Sequence, residues 1–182
     1  MIVKRKLSTA EFLEFANLPQ NANRLLELIE GEIVEKVASF TPSEIASTIG
    51  YYLKGFVLET PIGYVTGADG RYVISDEDTF MPDVGYISKA RMPERPAREA
   101  PIPPDLAVEV KSPTNSKREL RMKAERYLQF GTKMVWLVFP DEQEVEVYVP
   151  DKDVMTVRID GVLNGGDVLP GFQLPVRKIF PT

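Results

Sequence analysis

The run Pro104-Asp105-Leu106-Ala107-Val108-Glu109-Val110-Lys111-Ser112-Pro113 constrains the fold more than any other stretch of this chain. Leu106, Val108 and Val110 alternate with Asp105, Ala107, Glu109 and Lys111, the period-2 pattern of a β-strand. One face is apolar; the other carries a carboxylate and an ammonium two residues apart, about 7 Å along the strand. A strand that enters a core holds charges only where something pairs or uses them. A Glu–Lys pair at a sheet surface is the plain reading, and two features point beyond it. Glu109-Val110-Lys111 is the only acidic-x-Lys triplet in the sequence. Upstream, Phe80-Met81-Pro82-Asp83-Val84-Gly85-Tyr86-Ile87 offers a second strand that carries an aspartate just after a proline.

The 182 residues predict one domain, spanning 1–182 and long enough for a real core. The chain has neither histidine nor cysteine. A tetrahedral N/S zinc site, a Ser–His triad and a thiolate nucleophile are therefore excluded. Chemistry must run on carboxylates, Lys, Ser, Thr, Tyr and any metal they hold, and carboxylate oxygens select hard cations, Mg²⁺ or Mn²⁺. The net charge of −5 argues against a general polyanion binder unless basic residues cluster locally. No apolar run approaches the roughly 20 residues needed to span a bilayer. The start, Met1-Ile2-Val3-Lys4-Arg5-Lys6-Leu7, lacks the apolar core of an export signal, so a cytoplasmic location without membrane association is expected.

Ser8 with Glu11 forms a capping box ahead of a short amphipathic helix, and Leu25–Ile29 and Glu32–Glu35 flank Glu30-Gly31 as two strands of an N-terminal hairpin. Thr41-Pro42-Ser43-Glu44 reads as a helix start with Thr41 as N-cap and Glu44 closing a box; Ile45, Ile49, Tyr52, Leu53 and Phe56 follow at helical spacing. Short strands are predicted at 64–66 and 71–74. Residues 88–104 hold five prolines with Lys89, Arg91, Arg95 and Arg98, and predict a long mobile loop. Ser116 with Glu119 caps a helix running to Phe130, whose inner stripe is Leu120, Ala124, Tyr127 and Leu128. The all-apolar Met134–Phe139 predicts a strand buried on both faces. A hairpin follows at 145–148 and 154–157, then an irregular tail.

The order helix, three strands, helix, strand sets Asp83 and Glu109 on neighbouring strands of one mixed sheet. Such strands lie about 4.8 Å apart, so the two carboxylates could share one cation that relieves their repulsion. Lys111, on the same face, would stabilise charge developing on a phosphoryl oxygen or orient the attacking water. Of the four Pro-Asp pairs, at 82, 104, 140 and 150, only Pro82-Asp83 precedes Glu109 on a separate strand.

The pattern Pro82-Asp83 … Glu109-Val110-Lys111 resembles the PD-(D/E)xK nuclease superfamily. The run PPDLAVEVKSPTNSKRELRMKAERYLQFG followed by VWLV, the ending VLPGFQLP, and LLELIEGEIVE as an opening strand pair resemble the Uma family of restriction-endonuclease-like proteins. The resemblance covers about residues 24 to 180. It implies an α/β (α+β) fold with a restriction-endonuclease-like mixed sheet flanked by helices, a metal site at Asp83 and Glu109, and a catalytic Lys111. It also implies a further carboxylate from the first core helix, where Glu44 stands. Two departures are Glu44-Ile45, where members often have a histidine, and Phe139, where they often have an aspartate.

Lys117, Arg118, Arg121, Lys123 and Arg126 outnumber Glu119 and Glu125 on the second long helix. Together with the basic loop they predict a local backbone-binding patch for a nucleic acid, with Lys117, Arg118, Arg121 and Lys123 as contacts. The expected function is a Mg²⁺-dependent (or Mn²⁺-dependent) endonuclease acting on nucleic acid, DNA in the first place. The alternatives are a non-catalytic nucleic-acid-binding or dimerisation module that keeps the fold, with a homodimer left open, and a metal hydrolase for a small phosphoester.

Overall fold

The computed structural model describes residues 6–180; residues 1–5, where the sequence predicts no export signal, lie outside them. Ser8 and Glu11 form the reciprocal cap that opens α1 (Thr9–Ala16). β1 (Leu26–Ile29) and β2 (Glu32–Glu35) turn through Glu30 and Gly31, whose φ values of 50° and 77° give the primed two-residue hairpin. α2 (Phe40–Glu59) starts earlier than predicted: Ser39 is its N-cap, and no side chain caps it. Pro42 thereby falls in the first helical turn, where its missing N–H leaves no bond unmade. Thr41 and Glu44 are helical residues rather than a capping box.

The strands that follow divide between two sheets, where the sequence predicts one. β3 (Gly63–Thr66) and β6 (Val84–Ser88) join a six-stranded sheet, while β4 (Tyr72–Ser75) and β5 (Asp78–Phe80) complete a four-stranded one with the hairpin, in the order β2-β1-β5-β4. Pro82 marks the switch, because a residue without an N–H cannot continue a central ladder. β7 (Leu106–Val110), α3 (Lys117–Gln129) and β8 (Met134–Phe139) form a β–α–β unit in which β7 and β8 pair in parallel. β9 (Glu144–Tyr148) and β10 (Met155–Arg158) extend the large sheet, ordered β10-β9-β8-β7-β6-β3 and mixed, as predicted.

The parity of β7 decides what each helix covers. Leu106, Val108 and Val110 pack with Ile45, Ile49 and Leu53 of α2. Ala107 faces the other way, toward Leu120, Ala124 and Tyr127 of α3 and toward Phe80. All six residues of β8 are buried, so it is the central strand the sequence predicts. The segment 89–104 is irregular but pinned: Met92 and Ala100 are buried, Val73 N–H donates to Ala100 O at 2.9 Å, and Ala100 N–H donates to Arg71 O at 2.8 Å. The tail is not irregular. β11 (Val162–Asn164) and β12 (Gln173–Pro175) pair antiparallel, and Leu163, Leu174 and Val176 join the core under α2. Among the described residues no helix is long and apolar enough to cross a membrane.

Candidate active site

β6 and β7 are antiparallel with Val84 opposite Val108, so Asp83 and Glu109 stand across from each other one step further along. Asp83 Oδ2 accepts from the Val110 N–H at 2.7 Å, which fixes the aspartate against the end of β7. Its Oδ1 accepts from Lys36 Nζ at 2.7 Å, and the same ammonium donates to Met81 O at 2.7 Å. Glu109 belongs to the face of β7 that α3 covers. Its Oε1 accepts from the Tyr127 hydroxyl at 2.9 Å and lies 2.8 Å from Lys123 Nζ. Lys123 Nζ also donates to both Glu27 oxygens, at 2.8 and 3.0 Å, while Glu27 Oε1 accepts from the Met81 N–H at 2.6 Å. Three carboxylates, two ammoniums and a phenol thus meet where the hairpin and α3 close over the end of β7.

Burial raises the Glu109 carboxyl above the usual range, and the Asp83 and Glu27 charges add to this against the pull of Lys123 and Lys36. Burial would lower Lys123, but Glu109 and Glu27 overcome it, so its ammonium is held well above the usual lysine value. Lys36 is raised in the same way, burial being outweighed by Glu109 and Asp83. Burial, with the neighbouring Glu109, likewise raises the Tyr127 hydroxyl. The Glu109 side chain is 4 % exposed, whereas Asp83 and Lys36 are 16 % and 20 % exposed, so solvent reaches the cluster from the Asp83–Lys36 side.

The donor set suits a hard divalent cation, because it offers only oxygen ligands. Lys36 and Lys123 already act as counter-ions to those oxygens, so a bound cation has to compete with both. Among the described residues no three acidic side chains are grouped to hold a metal ion. Glu44 in particular is exposed on α2, whose buried residues pack on the β7 face opposite to that of Glu109. It is therefore not brought to Asp83 and Glu109; the carboxylate beside Glu109 is Glu27 of β1, linked to it through Lys123. Lys111 follows the last residue of β7, half-buried, with its N–H donating to Val138 O at 2.9 Å. Its charge is felt by Glu142.

The basic face of α3 is largely neutralised. Lys117 pairs with Glu142 at 2.7 Å, Arg121 donates to both Glu146 oxygens through Nε and Nη2, and Arg126 pairs with Asp78 and Glu30. Lys123 is not an exposed residue at all: its side chain is 10 % exposed and bridges Glu27 and Glu109. Of the five, Arg118 alone makes no ion pair among the described residues. A signal for Lys123 was present in the sequence, since Leu120, Lys123, Ala124 and Tyr127 sit at i, i+3, i+4 and i+7, the buried stripe of the helix. Glu27 and Lys36 carried no such signal, because their partners lie at distant positions in the chain.

The family model Uma2, described as "Putative restriction endonuclease", matches residues 10–177. None of the curated proteins matches the chain. Among solved structures, the 1.96 Å crystal structure titled a "putative nuclease belonging to DUF820" from Anabaena variabilis superposes with a TM-score of 0.82. It is 26% identical in sequence, and the match covers 96% of this chain and 97% of that one.

Proposed function

This chain belongs to the Uma2 family, described as "Putative restriction endonuclease", and from that premise we propose that it is a divalent-metal-dependent endonuclease that hydrolyses phosphodiester bonds in nucleic acid, DNA foremost. In this reading residues 1–182 act as one catalytic domain in the cytoplasm. The observation that carries the reading is the facing of Asp83 and Glu109 across the β6–β7 pair, with Asp83 on the side of the cluster open to solvent and Glu109 buried behind it.

Asp83 and Glu109 would hold Mg²⁺ or Mn²⁺, which supplies Lewis-acid polarisation of the scissile phosphodiester. The Val110 N–H and the Tyr127 hydroxyl hold the two carboxylates in place, as outer partners of a metal site do. Lys123 neutralises the Glu27–Glu109 side, so the buried carboxylates do not repel one another apart. Lys111, at the end of β7, stabilises charge developing on the phosphoryl oxygens. Lys36 pairs with Asp83 and would give up that contact to a cation held there.

Thermal unfolding with and without Mg²⁺ tests the site. A ligand that binds only the folded state raises the melting temperature by mass action. Wild type and Glu44→Ala should both show the shift, and Asp83→Asn should lose it. An equal shift in Asp83→Asn rejects the assignment.

A further inference from the structure

We infer that a second element of the molecule, a basic groove at the β3 edge of the large sheet, holds the phosphodiester backbone of the strand that leads to Asp83 and Glu109. The inference rests on the nuclease reading and adds where the polyanion lies. The groove has a volume of about 270 Å³; Lys54, Arg71, Arg95 and Arg98 line it, and no carboxylate does. None of these four cations forms an ion pair among the described residues, in contrast to the paired cations of α3. Glu99 is within electrostatic reach of Arg71 but does not line the groove. Arg71 lines the groove with its guanidinium over the Phe12 ring at 5.7 Å, and its Nε is buried without a hydrogen-bond partner.

The groove is preorganised. The Arg95 guanidinium lies over the Tyr64 ring at 4.9 Å, and the Tyr64 hydroxyl donates to Pro93 O at 2.8 Å, which ties the loop to the edge strand. Since Arg95 covers that ring, the contact offered is to phosphate and not to a stacked base. The position suits the site. Ile87 lines the groove from β6, and Asp83 immediately precedes that strand, four residues away, or about 13 Å along an extended chain. One strand of a duplex presents a phosphate about every 3.4 Å of axis, so the groove lies about four phosphates from the carboxylates. An acidic protein thereby grips a polyanion with the cations it has left unpaired.

The test is fluorescence anisotropy of a short labelled DNA duplex, and of the corresponding single strand, titrated with the full chain in EDTA so that no cleavage intervenes. Lys54→Gln/Arg95→Gln/Arg98→Gln alters three exposed side chains. It should lower affinity on the order of tenfold or more, equally for unrelated sequences, and reduce the log–log salt slope by about 3. Arg98→Gln alone should reduce the slope by about 1. Lys117→Gln/Arg118→Gln on α3 should change affinity far less. Tighter binding of duplex or of single strand, with the slope change, supports the groove and names the form it takes. Unchanged affinity and slope in the triple variant overturn the inference, as does a wild type that binds neither oligonucleotide. Because no metal is present, a catalytically inert chain that binds through the groove would reject the nuclease reading alone. A chain that cleaves while the triple variant binds normally would reject the groove alone.

Discussion

Replacing Lys123 with methionine removes one ammonium from a buried cluster and leaves the apolar stem nearly intact. Lys123 Nζ lies 2.8 Å from Glu27 Oε1 and 2.8 Å from Glu109 Oε1, and the three side chains are 10 %, 5 % and 4 % exposed. Breaking a buried ion pair by removing one partner costs about 3–5 kcal/mol, because the charge left behind is neither hydrated nor paired. Lys36 still acts on Glu109, so the expected loss is at the lower end, about 3 kcal/mol. For a chain of this size that corresponds to a fall in melting temperature of about 6–12 °C. Urea unfolding should show a lower midpoint with an unchanged slope. Two further signs identify the cause. Glu27→Gln added to Lys123→Met should restore part of the loss, with a coupling of about 1 kcal/mol or more. The deficit should also shrink on acidification: Glu109, already raised by burial, loses a counter-ion and rises further. A carboxyl whose folded pKa exceeds its unfolded value of about 4.3 destabilises as pH rises through that range and recovers as pH falls. A loss under about 1 kcal/mol, or no coupling to Glu27, would refute this account of the cluster.

Lys111→Ala should leave the Mg²⁺-induced thermal shift intact and reduce the cleavage rate on the order of 10²-fold, as expected when one charge stabiliser is removed; single-turnover cleavage measures it. Asp105 supplies a pH prediction away from the site. Burial opposes its ionisation, but the Ser88 N–H, Lys133 and Arg91 together hold its carboxyl below the usual range. Its contribution is therefore present above the unfolded pKa of about 3.9 and is lost as pH falls through the lower folded value. Asp105→Asn should be less stable at neutral pH, and its difference from wild type should close below about pH 4 in urea titrations.

What could be read from the sequence was local. The caps at Ser8 and Ser116, the hairpin turn at Glu30-Gly31, the alternation of Leu106 to Val110 and the apolar run Met134–Phe139 each depend on near neighbours, and each stands as read. Thr41 and Glu44 satisfied the same capping pattern, yet Ser39 precedes a first turn that can accommodate Pro42, so the helix began earlier. The sorting of β4 and β5 into a second sheet was hidden because either sheet satisfies their alternation; the break at Pro82 was its only local trace. Among the site residues, Asp83 and Glu109 face each other because their strands pair. Lys123 reads as a nucleic-acid contact from the basic content of its helix, whereas its place on the Leu120–Tyr127 stripe buries it. Glu27 lies between Leu26 and Leu28, whose burial against Phe12 on the other face of β1 leaves it to point at a helix 96 residues away.

Incubation of the purified protein with supercoiled plasmid DNA, in Mg²⁺, in Mn²⁺ and in EDTA, tests the central claim most directly. Nicked or linear product should form with wild type in either metal, be absent in EDTA, and be lost in Asp83→Asn and Glu109→Gln. Intact plasmid with wild type in both metals, or cleavage that survives in Asp83→Asn and Glu109→Gln, would contradict it.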